Sequence, residues 1–243
     1  RFVKLLLHAC CGPCSLEPVR LLAAQGYDIT IAFANSNIQP RAEYDHRLET
    51  LRDWARDEEI PVIEGAYNDT AWNATAGAAW KETRRISDRC RACYRMRLEE
   101  AARFAAEKGF EALSTTLAVS PYQLFDICHE ELEAVCNQYG LTCVWQDFRP
   151  YYPEATRRSR DAGMYRQNYC GCAYSKIEAD AERAERKRRR AQKKAQRAAA
   201  EAPLRAAAEA QRRLKNEQQA AYARKQQAKR AARNAARAQM VQS

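Results

Sequence analysis

Ten cysteines occur among 243 residues, and seven of them fall into three tight groups that could do chemistry. The first is His8-Ala-Cys-Cys-Gly-Pro-Cys14, the second Cys90-Arg-Ala-Cys93 and the third Cys170-Gly-Cys172. A core cysteine is ordinarily a lone small hydrophobe, whereas Cys10 and Cys11 project to opposite sides of an extended chain unless a turn gathers their sulfurs. Gly12-Pro13 supplies that turn. Cys90 and Cys93 have the spacing at which two thiolates reach one metal ion or cluster. Cys10, Cys11, Cys90 and Cys93 together offer four thiolates from two short segments, enough for one zinc ion or for a 4Fe-4S cluster. Cys14 is a further candidate, as a thiolate for a second metal beside them. Cys170 and Cys172 would close a very small ring on oxidation, a strained and labile disulfide suited to cycling with the dithiol. Cys128, Cys136 and Cys143 sit within helical or strand periodicity and are expected to be packing residues.

The elements that must position these groups alternate. Apolar residues 2–7 read as a buried first strand that ends at the cysteines, and a helix capped by Ser15 follows to Ala24, stopped by Gly26. Residues 29–34 form a second strand leading into Asn35-Ser-Asn-Ile-Gln-Pro40. A charged amphipathic helix then covers 42–57, with Tyr44, Leu48, Leu51 and Ala55 on one face. Residues 61–65 read as a third strand and 67–88 as a long loop with short helical pieces. A helix from Cys93 to Lys108, a strand over 110–114 ending at Thr115-Thr116, a helix over 122–139 begun by Ser120-Pro121, and a strand over 141–145 complete the body. This predicts an open, mostly parallel five-stranded Rossmann-like α/β sheet with helices on both faces. With the order 3-2-1-4-5, the reversal between the first and fourth strands would bring Cys10-Cys11 and Thr115-Thr116 to one crevice, where such folds place their sites. Glu43, Tyr44, Asp69 and Tyr122 are candidate acids near strand ends. His8 either orients a ligand or ends its strand.

Charge divides the chain. Residues 1–175 hold 21 Lys and Arg against 24 Asp and Glu, net −3, whereas residues 176–243 hold 20 against 7, net +13. A body of that size needs no disulfides to be stable, so its cysteines require a chemical explanation. The tail, rich in Ala, Arg, Lys and Gln, favours helix but has too few large apolar residues for a core, and Pro203 is expected to kink or divide it. It is expected to be a helical or disordered basic arm that strengthens binding to nucleic acid. No apolar run approaches a membrane span, and the apolar start lacks a basic segment followed by a cleavage-type site, so the expected compartment is the cytoplasm, with no membrane partner. The sequence opens at Arg1, and a few residues are expected to precede it. In a reducing compartment clustered cysteines bind metal or cycle by redox more often than they staple loops.

Six separate segments resemble one family. They are Leu6-Leu-His-Ala-Cys-Cys-Gly-Pro-Cys14; Asn35-Ser-Asn-Ile-Gln-Pro40 with Glu43, Tyr44 and Arg47; Arg89-Cys-Arg-Ala-Cys-Tyr-Arg-Met-Arg-Leu98; Ser114-Thr-Thr-Leu-Ala-Val-Ser-Pro-Tyr-Gln123; Asp147-Phe-Arg-Pro150; and Tyr165-Arg-Gln-Asn-Tyr-Cys-Gly-Cys-Ala-Tyr-Ser175. In this order, over residues 3–175, they resemble the cobalamin-independent epoxyqueuosine reductases of the QueH type. The resemblance implies a catalytic domain over 1–175, with the tail of 176–243 outside it. It implies reductive removal of the epoxide oxygen of epoxyqueuosine at the tRNA wobble position to give queuosine, the last step of queuosine synthesis. It implies a 4Fe-4S cluster on Cys10, Cys11, Cys90 and Cys93, an additional iron, a redox-active pair at Cys170 and Cys172, no cobalamin, and two partners: tRNA carrying epoxyqueuosine and an electron donor. The rival readings are a zinc-stabilised tRNA-binding module using the same thiols, and a nucleotide-activating tRNA-modification enzyme. The second would need a glycine-rich phosphate loop where Cys-Cys-Gly-Pro-Cys stands.

Overall fold

The computed structural model describes residues 2–241, with side chains through Asn234. Five parallel strands, β1 (Val3–His8), β2 (Tyr27–Phe33), β3 (Val62–Glu64), β4 (Ala112–Thr115) and β5 (Thr142–Cys143), form one sheet in the order β3-β2-β1-β4-β5. The expected order is therefore the observed one. Parallel neighbours require crossovers, and helices α1 (Gly12–Ala24), α2 (Arg41–Asp57), α5 (Ile86–Glu107) and α6 (Phe125–Tyr139) lie in those connections. The long 67–88 segment holds α3 (Asp69–Trp72), a π-helical turn and α4 (Ala78–Thr83), and α7 (Tyr152–Asp161) follows β5.

Alternation along β1 assigns the two faces. Leu6 packs with Leu98, Ala101, Ala105, Leu132 and Val135 of α5 and α6, whereas Leu5 and Leu7 pack with Leu22 of α1 on the other side. Ile31 and Phe33 of β2 meet Tyr44, Leu48, Leu51 and Ala55, the α2 face expected from periodicity. Because β1 is covered on both faces, its run of leucines is continuous. Cys128 and Cys136 are fully buried in the α5–α6 layer and Cys143 packs against it.

Three boundaries differ from expectation. α1 begins at Gly12 rather than near Ser15, because the Cys11 thiol accepts from the Cys14 amide and serves as the cap, while Ser15 Oγ donates back to the Cys11 carbonyl. α5 begins at Ile86, so Cys90 and Cys93 both ride its first turns. α6 starts at Phe125, behind Ser120-Pro121, with Leu124 as its cap residue. The chain divides into two compact units, one ending at Asp180 and the other starting at Ala181. The described residues of the second belong to helix α8 (Ala173–Val241), which begins within the first and whose assignment runs through Pro203 without a break. Pro203 therefore does not divide it.

Glu17 secures the α1–α7 packing that closes one side of the site. Its fully buried carboxylate accepts from Arg20 Nε at 2.9 Å and from Arg158 of α7 at 2.8 Å. Burial alone would raise this acid, but the two guanidinium groups hold it below the usual carboxylate value. Removing that charge leaves Arg158, itself mostly buried, without its ionic partner. Glu17→Gln is expected to lower the unfolding free energy by about 2 kcal/mol in urea titration, less than for a deeply buried pair because both arginines reach solvent. Unchanged stability would contradict this role.

Candidate metal and thiol centre

The site begins where β1 ends. His8 is buried between β1's two neighbours: Nε2 donates to the Ala34 carbonyl at 3.3 Å, and Nδ1 accepts from Thr115 Oγ1 at 2.9 Å. Burial, with the Arg97 charge, pulls its pKa down to about 3, so the ring is neutral and both nitrogens are engaged. His8 thus ties β2 and β4 to the strand end rather than offering a free ligand nitrogen. Two residues further, the Cys10 amide donates to Thr116 Oγ1 at 3.2 Å, and that hydroxyl lies 3.6 Å from Cys10 Sγ. The two loops flank one crevice at the switch point, as the topology predicts.

Among the described residues, Cys10, Cys11 and Cys14 form a buried group whose sulfurs all lie within 4.8 Å of one another. Metal–thiolate bonds of about 2.3 Å at tetrahedral angles separate sulfurs by about 3.8 Å. The Cys10–Cys11 sulfur separation of 3.9 Å matches that figure. Neighbouring thiols, helped by Arg97 and Thr116, lower the Cys10 pKa well below its ordinary value. Burial raises Cys11, and the neighbouring Cys10 and Cys11 raise Cys14. Cys10 is thus the sulfur of the three that most readily loses its proton, and a bound cation would displace the protons of the others. Gln167 Nε2 donates to Cys11 Sγ at 2.9 Å and lies 3.9 Å from Cys14 Sγ.

Cys90 and Cys93 are not within that 4.8 Å group. They sit three residues apart on α5, with Tyr94 and Arg97 on the same helical surface. Burial raises Cys90 to about 12 and Cys93 to about 11, and both thiols feel the charge of Cys170. Cys93 and Cys172 pack together against Trp72, whose buried indole N–H has no hydrogen-bond partner among the described residues. Cys170 reaches solvent, and Gln123 Nε2 donates to its sulfur at 3.5 Å. Its packed surroundings still raise its pKa, with Arg97 opposing. Cys172 is buried, and the Ser175 amide donates to its sulfur at 3.3 Å.

The loop between these two thiols is clamped. Arg47 donates to the carbonyls of Cys170 and Tyr169 while its Nε binds Glu43 at 2.7 Å, and Tyr165 donates to the other Glu43 oxygen. Gly171 has φ +154°, and a side chain there would meet Asn37 Nδ2 at 2.7 Å. Glycine is therefore required where the two cysteines turn.

Arg97 makes the charge of the whole region legible. Its side chain is fully buried, and Nη2 donates to Asn35 Oδ1 at 2.6 Å, but Nε and Nη1 have no partner among the described residues. The groups whose negative charge would stabilise it are the sulfurs of Cys93, Cys10 and Cys170. A buried guanidinium is costly unless anions compensate it. Thiolates from separate groups, or a thiolate-ligated cluster with net negative charge, supply that compensation. The donor set and the unpartnered cation therefore fit an iron–sulfur cluster or another thiolate-bound metal.

The candidate acids are placed as follows. Glu43 is taken up by Arg47 and Tyr165, and Tyr44 is buried, donating to the Gly65 carbonyl at 3.2 Å. Tyr122 is largely exposed beside Tyr152, and Asp69 starts α3. Sequence reasoning missed Arg97, Tyr94, Gln123 and Gln167. Tyr94 donates to Gln123 Oε1 at 2.7 Å, completing a chain of polar groups to Cys170. Tyr94 stands four residues after Cys90 and Arg97 four after Cys93, a helical spacing that places each on the face of a thiol. The glutamines stood inside the resembling segments, with no periodicity to mark a role.

The fold and site define a class: an α/β protein with a cysteine centre at the switch point of a parallel sheet. The chain belongs to the family described as epoxyqueuosine reductase QueH, whose model matches residues 5–178. Relatives of that name include one from Dehalococcoides mccartyi, 32% identical over 72% of this chain and 93% of its own. Another, from Thermotoga maritima, is 34% identical over 76% of this chain and 96% of its own. The Haemophilus influenzae relative is 34% identical over 71% of each chain.

Gln167→Leu removes the donor shared by Cys11 and Cys14 while keeping similar bulk. Loss of such an outer partner is expected to weaken Co2+ binding about tenfold, read from the thiolate charge-transfer absorption. Unaltered affinity would show that Gln167 does not serve these thiols.

Proposed function

We infer that this chain is an epoxyqueuosine reductase that removes the epoxide oxygen of epoxyqueuosine in the tRNA wobble position to give queuosine. Family membership supports the activity, and the observation that carries the reading onto this chain is the buried thiol group at the switch point beside Cys170 and Cys172. Both carbon–oxygen bonds of the epoxide break, a carbon–carbon double bond forms, and the oxygen leaves as water. That requires two electrons and two protons. Oxidation of the Cys170 and Cys172 thiols to a disulfide releases both, so the step balances, and an external electron donor must then return the disulfide to the dithiol.

Cys10, Cys11, Cys90 and Cys93 are the proposed thiolates for a 4Fe-4S cluster, with Cys14 available to an additional iron. A bound cluster would supply single-electron transfer and a Lewis-acidic iron near the departing oxygen. The remaining work belongs to the chain. Cys170 is the thiol that reaches solvent and hence substrate, Gln123 orients its sulfur, and Cys172 lies behind it as the resolving partner. Arg97 neutralises thiolate charge that would otherwise repel within the pocket. A cytoplasmic setting agrees with free thiols, and no helix among the described residues is long and apolar enough to cross a membrane.

A zinc-stabilised module is the second reading, favoured by one observation, the gathering of the Cys10, Cys11 and Cys14 sulfurs within 4.8 Å of one another. Thiol counting across a single turnover with epoxyqueuosine-containing tRNA separates the readings. The redox account expects two fewer free thiols after turnover, lost in the wild type but not in Cys170→Ser or Cys172→Ser, and no alkene product from either variant. Product formation without any change in thiol number would remove the dithiol from the mechanism.

A further inference from the structure

The family match ends at residue 178, and beyond that point the described residues continue a single helix, α8. Along it Lys187, Arg190, Lys194 and Arg197 recur at steps of three and four, flanked by Arg186 and Lys193. Residues at such steps share one face of a helix. All six are exposed. Ala184, Ala191, Ala195, Ala198 and Ala202 recur at steps of seven, four, three and four along a separate line. This part of the tail therefore carries a basic stripe beside a line of small residues, with Arg188 and Arg189 outside the stripe.

We propose that this stripe is an RNA-binding surface that lies along the phosphate backbone of the tRNA on which the body acts. Naming tRNA as the RNA rests on the reading above; the stripe and its ligand chemistry do not. Three features select this occupant. The body has net charge −3 and offers no general attraction for a polyanion, whereas the tail has +13. Glu201, which pairs with Arg197 of the stripe, makes an exposed contact of the kind worth little in water. Tyr222 is the lone aromatic of the tail, so base stacking is not available and contacts to phosphate must dominate. A membrane surface fits poorly, since an interfacial helix needs a face of Trp, Phe or Leu, and the alanine line offers little apolar area. A coiled-coil partner fits poorly for the same reason.

The test uses the full chain and an unmodified tRNA transcript, so that binding is read without the epoxide or its reduction. Replacing Arg186, Lys187, Arg190, Lys193, Lys194 and Arg197 with glutamine preserves helix propensity while removing the stripe. The dissociation constant at about 0.1 M salt is expected to rise at least tenfold, and the slope of log affinity against log salt to flatten by about four. Replacing the five alanines of the other line with glutamine, a change of shape without charge, should leave both quantities unchanged. Equal tRNA affinity and salt slope in the stripe variant and the wild type would overturn the proposal. So would equal losses in the two variants, or tighter binding of the wild type to phosphatidylserine vesicles than to tRNA. Should the body fail as a reductase, the thiol count across turnover would show it while the stripe's effect on transcript binding persisted.

Discussion

The interaction on which the rest depends is the electrostatic balance between buried arginine and sulfur. Arg97 is fully buried, with two nitrogens unpartnered among the described residues, and its electrostatic neighbours come from all three cysteine groups. A guanidinium in that position disfavours folding by several kcal/mol unless negative charge gathers around it. The same arrangement read from the sulfur side helps to lower Cys10 in a pocket where burial raises Cys11, Cys90 and Cys93. Arg47 and Arg89 extend the theme. Arg47 is raised by Cys11 and Cys10 as well as Glu43, and Arg89 by Glu178, Cys172 and Cys90. Arginine suits these places because it cannot lose its proton and because its fork holds carbonyl groups while its charge acts on sulfur. Arg47 does both, fixing the Cys170 loop through two carbonyls.

The sheet places these charges. His8 and Thr115 bind β1 to β4 at the strand ends, and Thr116 holds the Cys10 amide, so the first cysteine group is registered against the sheet itself. The second group arrives on α5, whose buried face carries Leu98, Ala101 and Ala105 into the core. The third comes on the loop before α8 and is held by Arg47 and by the Gln39 amide, which donates to the Gly171 carbonyl, rather than by a strand. Two groups are therefore set by rigid elements and one by a clamped loop. That division suits a centre in which one pair of thiols changes state while the others hold position.

Much of this was legible in the sequence. Runs of β-branched and leucine residues alternating with amphipathic segments dictate a parallel sheet, and the strand order places its reversal beside Cys10 and Thr116. The Tyr44, Leu48, Leu51, Ala55 face of α2 followed from helical spacing alone. The start of α1 did not, because a cysteine is not an expected helix cap and only the geometry shows its sulfur accepting from the Cys14 amide. The start of α5 was hidden by a first turn lacking a Ser, Thr, Asp or Asn cap. Arg97 and Gln167 escaped notice because their importance lies in what surrounds them after folding. A buried cation cannot be told from a surface one by spacing. Pro203 misled in the other direction, since its neighbours are strong helix formers and the helix assignment passes through it.

The central claim is that the compensated thiolates of this pocket hold an iron–sulfur cluster. Iron and acid-labile sulfide analysis of the anaerobically purified full chain, read with its visible absorption spectrum, tests it most directly. The account predicts about four sulfides per chain, at least as many irons, and a broad absorption that bleaches on reduction. A colourless protein carrying about one zinc and no sulfide would contradict it.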